Sequence, residues 1–249
     1  MAMDVGALTP FFHAFREREA INDIMEETCG ARLTMNYMAP GGVAFDLHPD
    51  FQRKVKEFLA FFRTKIDEYD ELVTGNVIFR GRMEGIGYLS REDAISYGCT
   101  GPTARASGVS CDIRKITPYE VYDQLQFDEV RESGGDCFAR YNVRMEEMRQ
   151  SLSIIDQLID NIPEGEFLAK TKAVLKLPKG EFYSKVETAR GEFGVYIISE
   201  GGMTPYRIKF RSPGFSNLSA LDHMARGHKL GDLVAIMGTL DLVIPDIDR

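Results

Sequence analysis

Asp4 is the first residue with an unusual chemical setting: Met3, Val5, Ala7 and Leu8 around it are apolar. A buried carboxylate is costly, so it takes up a proton or finds a cation or donor. On a frayed, wet terminus it is simply solvated. Composition leaves both readings of Asp4 open. The other reactive side chains form no recognisable catalytic set. Cys29, Cys99, Cys111 and Cys137 are scattered without a Cys-x-x-Cys pair, so they read as reduced thiols packed as small apolar groups rather than zinc ligands. His13, His48, His223 and His228 also lack metal-ligand spacing. The last two are five residues apart, share no helix face, and read as surface or capping groups. The stretch "GRMEGIGYLS" lacks Gly-x-Gly-x-x-Gly spacing, and there is no phosphate-binding loop or Gly-x-Ser-x-Gly elbow. "FREREA" reads as a helix face laced with ion pairs. No metal is expected on this chain.

The elements that must position Asp4 follow from pattern. The chain has 249 residues, 44% hydrophobic and 27% charged, with a net charge of −8. It is long enough to bury a core. The acidic balance disfavours a nucleic-acid groove. "LVAIMGTLDLVI", the most apolar late stretch, is broken by Asp241 and falls short of a membrane span. Thr9-Pro10 predicts a helix start with Thr9 as cap, and Gly30 predicts its left-handed end. "YMAPGGVAFDLHPD" reads as a Gly/Pro loop. Phe51, Val55, Phe58, Phe62, Ile66, Tyr69 and Val73 recur at helical spacing. A longer helix is expected from Phe138 to Ile162, with its seam on Phe138, Tyr141, Met145, Met148, Leu152, Ile155, Ile159 and Ile162.

"SREDAIS" reads as a short helix capped by Ser90. "TGPTARASGVSCDIRKITPYEVYD" is rich in turn formers and reads as structural wrapping. "GVYIISEGGMTPYRIKFR" alternates with period two around Glu200-Gly201-Gly202. It predicts a β-hairpin, with Phe182 to Glu187 as a neighbouring strand and Arg207, Lys209 and Arg211 on the wet face. One or two helices and a tail are expected from Asn217 onward. The fold class expected is α+β, mainly α. A helical bundle over 1–165 is followed by an antiparallel hairpin region over 180–215 and a C-terminal helix and tail over 216–249.

Seven collinear stretches resemble the hydrogenase-related large subunit of respiratory complex I, the 49-kDa or D-type subunit. They are "DVGALTPFFHAFRERE", "YMAPGGVAFDL", "GPTARASGVSCDIRK", "PYEVYDQLQFD", "GGDCFARYNVRMEEMRQSL", "ETARGEFGVYIISEGGMTPYRIKFRSPGF" and "GHKLGDLVAIMGTLDLVIPDIDR". The resemblance implies a fold like the nickel–iron hydrogenase large subunit. This chain carries "DIDR" where a hydrogenase would carry its last cysteine pair, so the resemblance is to the quinone-side branch without nickel. Members of the family also have a preceding stretch with a His and a Tyr that hold the quinone headgroup. The resemblance therefore implies a truncated, split or partial subunit.

By the same resemblance, Asp4 lies beneath the quinone pocket and pairs with the headgroup His, here supplied by another polypeptide. Phe11 and Phe12 match chamber-lining aromatics, with core packing an equally good account of them. Val243 and Ile244 match positions along the quinone path beside the cluster-bearing small subunit. Thr34 stands where many members carry a His next to the partner's terminal iron–sulfur cluster. A hydroxyl cannot couple proton uptake to cluster reduction as imidazole can, which implies weaker pH dependence and a low-potential acceptor such as menaquinone or methanophenazine. Ala39 replaces the usual basic residue and removes a positive charge.

The function implied is a subunit of a proton-translocating NADH:quinone oxidoreductase, inactive as an isolated chain. NAD, FMN and iron–sulfur clusters would reside in partner subunits, and quinone would be the substrate. The small cluster-bearing subunit and the 30-kDa-type subunit are the partners expected, at the cytoplasmic face of the membrane or its matrix-side equivalent. Two alternatives stand beside this: a structural or assembly module without quinone chemistry, and a relative fed by reduced F420 or ferredoxin.

Overall fold

The computed structural model describes residues 1–172, 174 and 176–248. Arg249, the last residue of the closing motif, lies outside them. A 3-10 turn, Met3–Val5, leads into α1 (Leu8–Cys29) through Gly6 at φ 95°. The helix begins earlier than Thr9-Pro10 predicts. Ala7 is the N-cap and makes no side-chain cap bond, because Thr9 is already helical. Gly30 closes α1 at φ 74°, as expected. The Gly/Pro loop contains a small ribbon, β1 (Met38–Ala39) with β2 (Gly42–Val43), where the sequence pattern predicts only loop.

α2 (Phe51–Tyr69) runs into one π-helical turn, Asp70–Thr74. Its predicted seam is buried at Ile66, Tyr69 and Val73, together with Leu59 outside that seam. Burying a side chain such as Leu59 or Ile66 contributes about 1.5–3 kcal/mol. α3 (Val77–Met83) is capped by the Asn76 side chain, which accepts from the Ile78 and Phe79 amides. α4 (Arg91–Ser96) carries the predicted Ser90 cap, with Ser90 Oγ accepting from Asp93 N at 3.0 Å.

The turn-rich stretch folds inward. α5 (Gly101–Arg105) is buried along its whole length. Its start backs onto the β-sheet so closely that a Cβ at Gly101, which sits at φ 65°, would enter the Arg190–Gly191 backbone. α6 (Ile113–Ile116) follows, capped by Asp112. α7 (Cys137–Ile159) ends three residues before Ile162, and its buried surface is wider than one seam. Tyr141, Met145, Leu152 and Ile159 are buried as expected, while Ile155 is exposed.

β3 (Gly180–Thr188), β4 (Gly191–Ser199) and β5 (Arg207–Arg211) form one antiparallel sheet in that order. Both its faces retain exposed side chains, including Phe182, Tyr183, Ile208 and Phe210. Arg207 and Lys209 are exposed as predicted. Arg211 departs from the wet-face expectation. It donates to Thr100 Oγ1, Glu192 O and Gly98 O, tying the sheet to the α5 entrance. The end of the chain is four short helices rather than one or two: α8 (Pro213–Ser219), α9 (Leu221–Ala225), α10 (Leu230–Leu240) and α11 (Ile244–Ile247). The main core joins α2, α3, α7 and α10. The architecture is thus α+β with two small antiparallel sheets. Among the described residues, no helix is long and apolar enough to cross a membrane.

Candidate functional site

Asp4 sits in the Met3–Val5 turn, and its side chain is 28% exposed. The Met1 ammonium pairs with its Oδ2 at 2.8 Å. The turn rests on α10 at Gly238, where a Cβ would lie 2.8 Å from Asp4 Oδ2. Glycine at 238 leaves room for the carboxylate against α10. Met1, Val5 and Leu242 pack against the main core on either side. The opening motif and the closing motif therefore meet at Asp4. The Asp4 side chain is thus partly exposed where it meets α10.

Phe11 and Phe12 lie on the first turn of α1 with ring centroids 5.6 Å apart, edge to face. Phe11 is partly exposed and Phe12 is 63% exposed, so core packing does not account for Phe12. Val243 caps α11 and Ile244 begins it, with Ile244 exposed. α11 is anchored to α8, where Asp246 Oδ2 accepts from Ser212 Oγ at 2.7 Å and from Gly214 N at 3.2 Å. Thr34 lies beyond the other end of α1, in a left-handed conformation at φ 52°. α1 is roughly 33 Å long at 1.5 Å per residue, and the chain beyond it turns back so that Arg32 pairs with Glu19, Asp23 and Glu26. The structure brings Asp4 to α10, close in sequence to Val243 and Ile244, and keeps Thr34 apart. His223 Nε2 lies 3.3 Å from Asp93 Oδ2, and His228 Nε2 accepts from Gly87 N at 3.3 Å. Neither belongs to this region.

Several polar residues to which the sequence pattern assigns no role are buried. Glu17, inside "FREREA", is 2% exposed. Its Oε2 accepts from the Tyr69 hydroxyl at 2.6 Å, and its Oε1 accepts from Arg16 Nη2 at 2.6 Å. Burial pushes the Glu17 carboxyl up, but the hydrogen bonds from Tyr69 and Arg16 outweigh it and hold it below the usual carboxylate range. Burial, then the Glu17 charge, pushes the Tyr69 phenol up. The signal is present in the spacing: Phe11, Ala14, Glu17 and Ile21 fall on one helix face.

Arg105, in "GPTARASG", is 1% exposed and joins Glu187 at 2.7 Å and Glu147. Burial, reinforced by like charge at Asp112, raises Glu187 above the usual range although Arg105 opposes it. Arg140 is wholly buried and donates to Gly135 O and Gly87 O, both at 2.9 Å, and to Thr239 Oγ1 at 3.1 Å. Arg140 sits within the motif "GGDCFARYNVRMEEMRQSL", whose apolar seam gives no reason to bury it.

α1, α2 and α7 line two adjoining open cavities of about 470 Å³ and 680 Å³ that share Met1, Ile21, Phe62, Tyr141, Met145 and Met148. Phe11 and Glu17 line the first, while Arg105, Arg144 and Glu187 line the second. Phe12 and Asp4 line neither.

The family described as respiratory-chain NADH dehydrogenase, 49 Kd subunit, matches residues 4–175 and 171–249. The combined C/D-type subunit of NADH-quinone oxidoreductase from Bacteroides thetaiotaomicron is 57% identical over all of this chain, which covers 47% of that protein. A D-type subunit of NADH-quinone oxidoreductase from Solibacter usitatus is 46% identical, and this chain covers 67% of it. The D-type subunit of the same oxidoreductase from Geobacillus kaustophilus is also 46% identical, with 67% of it covered. The chain spans about half the length of the C/D-type relatives and about two thirds of the D-type ones. With both halves of the sequence matched in order, the chain belongs to the family of the 49-kDa subunit of respiratory-chain NADH dehydrogenase.

Proposed function

We propose that this chain serves in an NADH:quinone oxidoreductase of the complex I type, where it helps form the quinone-reduction site. The observation that carries the proposal is the meeting of Asp4 with Gly238, which joins the opening family motif to the closing one. A headgroup above Asp4 would be reduced by two electrons and take up two protons. The Asp4 carboxylate would pair with a neighbouring imidazole on another polypeptide. Phe11, Phe12, Val243 and Ile244 would offer apolar contact to the ring and tail. Thr34, which follows the far end of α1, would face the iron–sulfur cluster of the small subunit rather than the headgroup.

Electrons would begin on NADH and pass through FMN and clusters held by other subunits, with the 30-kDa-type subunit among the neighbours. The assembly would be peripheral, against the cytoplasmic side of a membrane, and its chemistry would be linked to proton translocation. The hydrogenase-like ancestry of the fold is part of the same proposal.

The test is Asp4→Asn in the assembled complex. Quinone-dependent NADH oxidation is expected to fall at least about tenfold, the equivalent of ~1.4 kcal/mol in the barrier. NADH oxidation by a water-soluble acceptor such as ferricyanide should stay unchanged. Equal loss of both activities would point to failed assembly, and loss of neither would remove Asp4 from the quinone site.

A further inference from the structure

The turn between β3 and β4 is fixed to the helices through its backbone. A Cβ at Gly191 would lie 2.5 Å from Thr100 Oγ1 and 2.7 Å from Gly101 N, so the turn rests directly on the α5 entrance. Arg190 N donates to Thr188 Oγ1 at 3.3 Å within the turn. Arg190 O accepts from Asn217 Nδ2 at 3.3 Å, and Asn217 Oδ1 accepts from Thr100 N at 3.2 Å. Asn217 lies on α8 and is buried. The backbone of Arg190 is therefore held from two sides, and its side chain projects from a fixed base.

That side chain reaches the end of α10. Arg190 Nε lies 3.0 Å from Asp241 Oδ2, and Arg190 Nη2 donates to Asp241 Oδ1 at 3.4 Å. Asp241 closes α10 in a left-handed conformation at φ 55° and ψ 53°. Aspartate visits this region more readily than most residues, but such a corner persists only where its surroundings hold it. Two residues later Val243 caps α11, and Ile244 begins it with its side chain exposed. Beyond them Asp246 is held by Ser212 Oγ and Gly214 N, at the start of α8. The segment from Asp241 to Asp246 is thus slung between two carboxylates. Their partners belong to the unit made by the β3–β4 turn and α8, and none of them lies on α10.

We infer that Arg190 is a positioning residue for the quinone-reduction site: by holding Asp241 it sets the direction in which the chain leaves α10, and so the place at which Ile244 is presented. The inference rests on the reading of Val243 and Ile244 as apolar contacts for the quinone. Both side chains of the pair are partly open to water, Arg190 at 35% and Asp241 at 38% exposed. An ion pair of that kind adds little to stability, so its role is geometric. An apolar contact displaced from its ligand weakens the ground state and the transition state alike, which raises KM and spares kcat.

The experiment is a double-mutant cycle in the assembled complex with Arg190→Gln and Asp241→Gly. Glycine keeps the left-handed corner free of strain and removes only the carboxylate side chain. Each single variant should raise KM for quinone about fivefold and leave kcat within about twofold. NADH oxidation by ferricyanide should stay at the wild-type rate. The double variant should match the single ones, because the two side chains act as one pair. Arg190→Lys, which keeps a cation at this position, should restore most of the lost affinity. Ile244→Ser tests the underlying reading separately and should raise KM in the wild-type background. A raised KM for Ile244→Ser beside an unchanged KM for Arg190→Gln would overturn the inference and leave the reading of Ile244 standing. An unchanged KM for Ile244→Ser would overturn both. Additive effects in the double variant, a fall in ferricyanide activity with Arg190→Gln, or no recovery with Arg190→Lys would each overturn the inference as well.

Discussion

Two buried glutamates hold this molecule together in opposite ways. Glu17 on α1 is covered, but its cation, Arg16, reaches into water with its side chain 57% exposed. Glu187 on β3 is covered, and its cation Arg105 is covered as well. The difference shows in their protonation. Glu17 accepts from a phenol and a solvated guanidinium and is held below the usual carboxylate range. Glu187 shares one buried cation with Glu147 and is raised by burial. The first arrangement needs little rearrangement to change charge, because water already reaches one partner. The second links α5, α7 and β3, and any change in its charge is felt by all three.

The strongest way to break the contrast is Arg105→Met. It strands Glu187, and partly Glu147, in a covered position, and removal of one partner of a buried pair costs about 3–5 kcal/mol. Urea unfolding should show an unfolding free energy lower by that amount, with activity and sheet docking lost together. Adding Glu187→Leu to Arg105→Met should recover much of the loss, because a well-packed apolar pair removes the stranded charge. If the double variant is no more stable than the single one, the arginine acts through packing rather than charge.

A smaller effect is expected from Tyr69→Phe, which removes one of the two donors to Glu17. A hydrogen bond to a charged group is worth about 1.5–3 kcal/mol. The pH dependence sharpens the comparison. Because Glu17 has a depressed folded pKa, its contribution is complete above the unfolded carboxylate value and is lost as pH falls through the folded one. The gap between wild type and Tyr69→Phe should therefore narrow in acid. Glu187 has the opposite sign: its raised folded pKa penalises the ionised form, so its cost is largest above that pKa and fades as pH falls toward the unfolded value. Unfolding free energies measured across roughly pH 3 to 7, a range of about four units around the ordinary carboxylate pKa, would show both trends for Tyr69→Phe and Glu187→Gln. Parallel trends would erase the distinction between the two glutamates.

The helices and the sheet are legible because their signals are local. The Gly30 stop, the Ser90 cap and the period-two run into β5 each declare themselves within a few residues. The α1 start is not, because the preceding 3-10 turn, not Thr9, sets its first helical residue. The β1–β2 ribbon is hidden because its pairing is completed by contacts with Phe167 and Leu168, far along the chain. Asp4 and its companions are named through resemblance, whereas Glu17, Arg105, Arg140 and Arg144 are not. A charged residue on an apolar helix face looks like an error in the pattern until its partner is known. The partners lie on other elements: Tyr69 for Glu17, Glu187 for Arg105, and Thr239 for Arg140.

The smallest expected effect tests the wet side of the comparison. Arg16→Gln removes the second donor to Glu17 but leaves the Tyr69 hydroxyl in place. Water can replace an exposed guanidinium, and exposed pairs are weak and screened by salt. The loss of stability should be smaller than for Tyr69→Phe, and in wild type the Arg16 contribution should shrink as salt is added. The buried Arg105 node should respond far less to salt. Thermal unfolding of wild type, Arg16→Gln and Tyr69→Phe at low and high ionic strength makes the comparison directly. A loss from Arg16→Gln that equals Tyr69→Phe and ignores salt would mean that the Glu17 pair is as closed to water as the Glu187 one, and the two glutamates would then differ only in how their cations are shared.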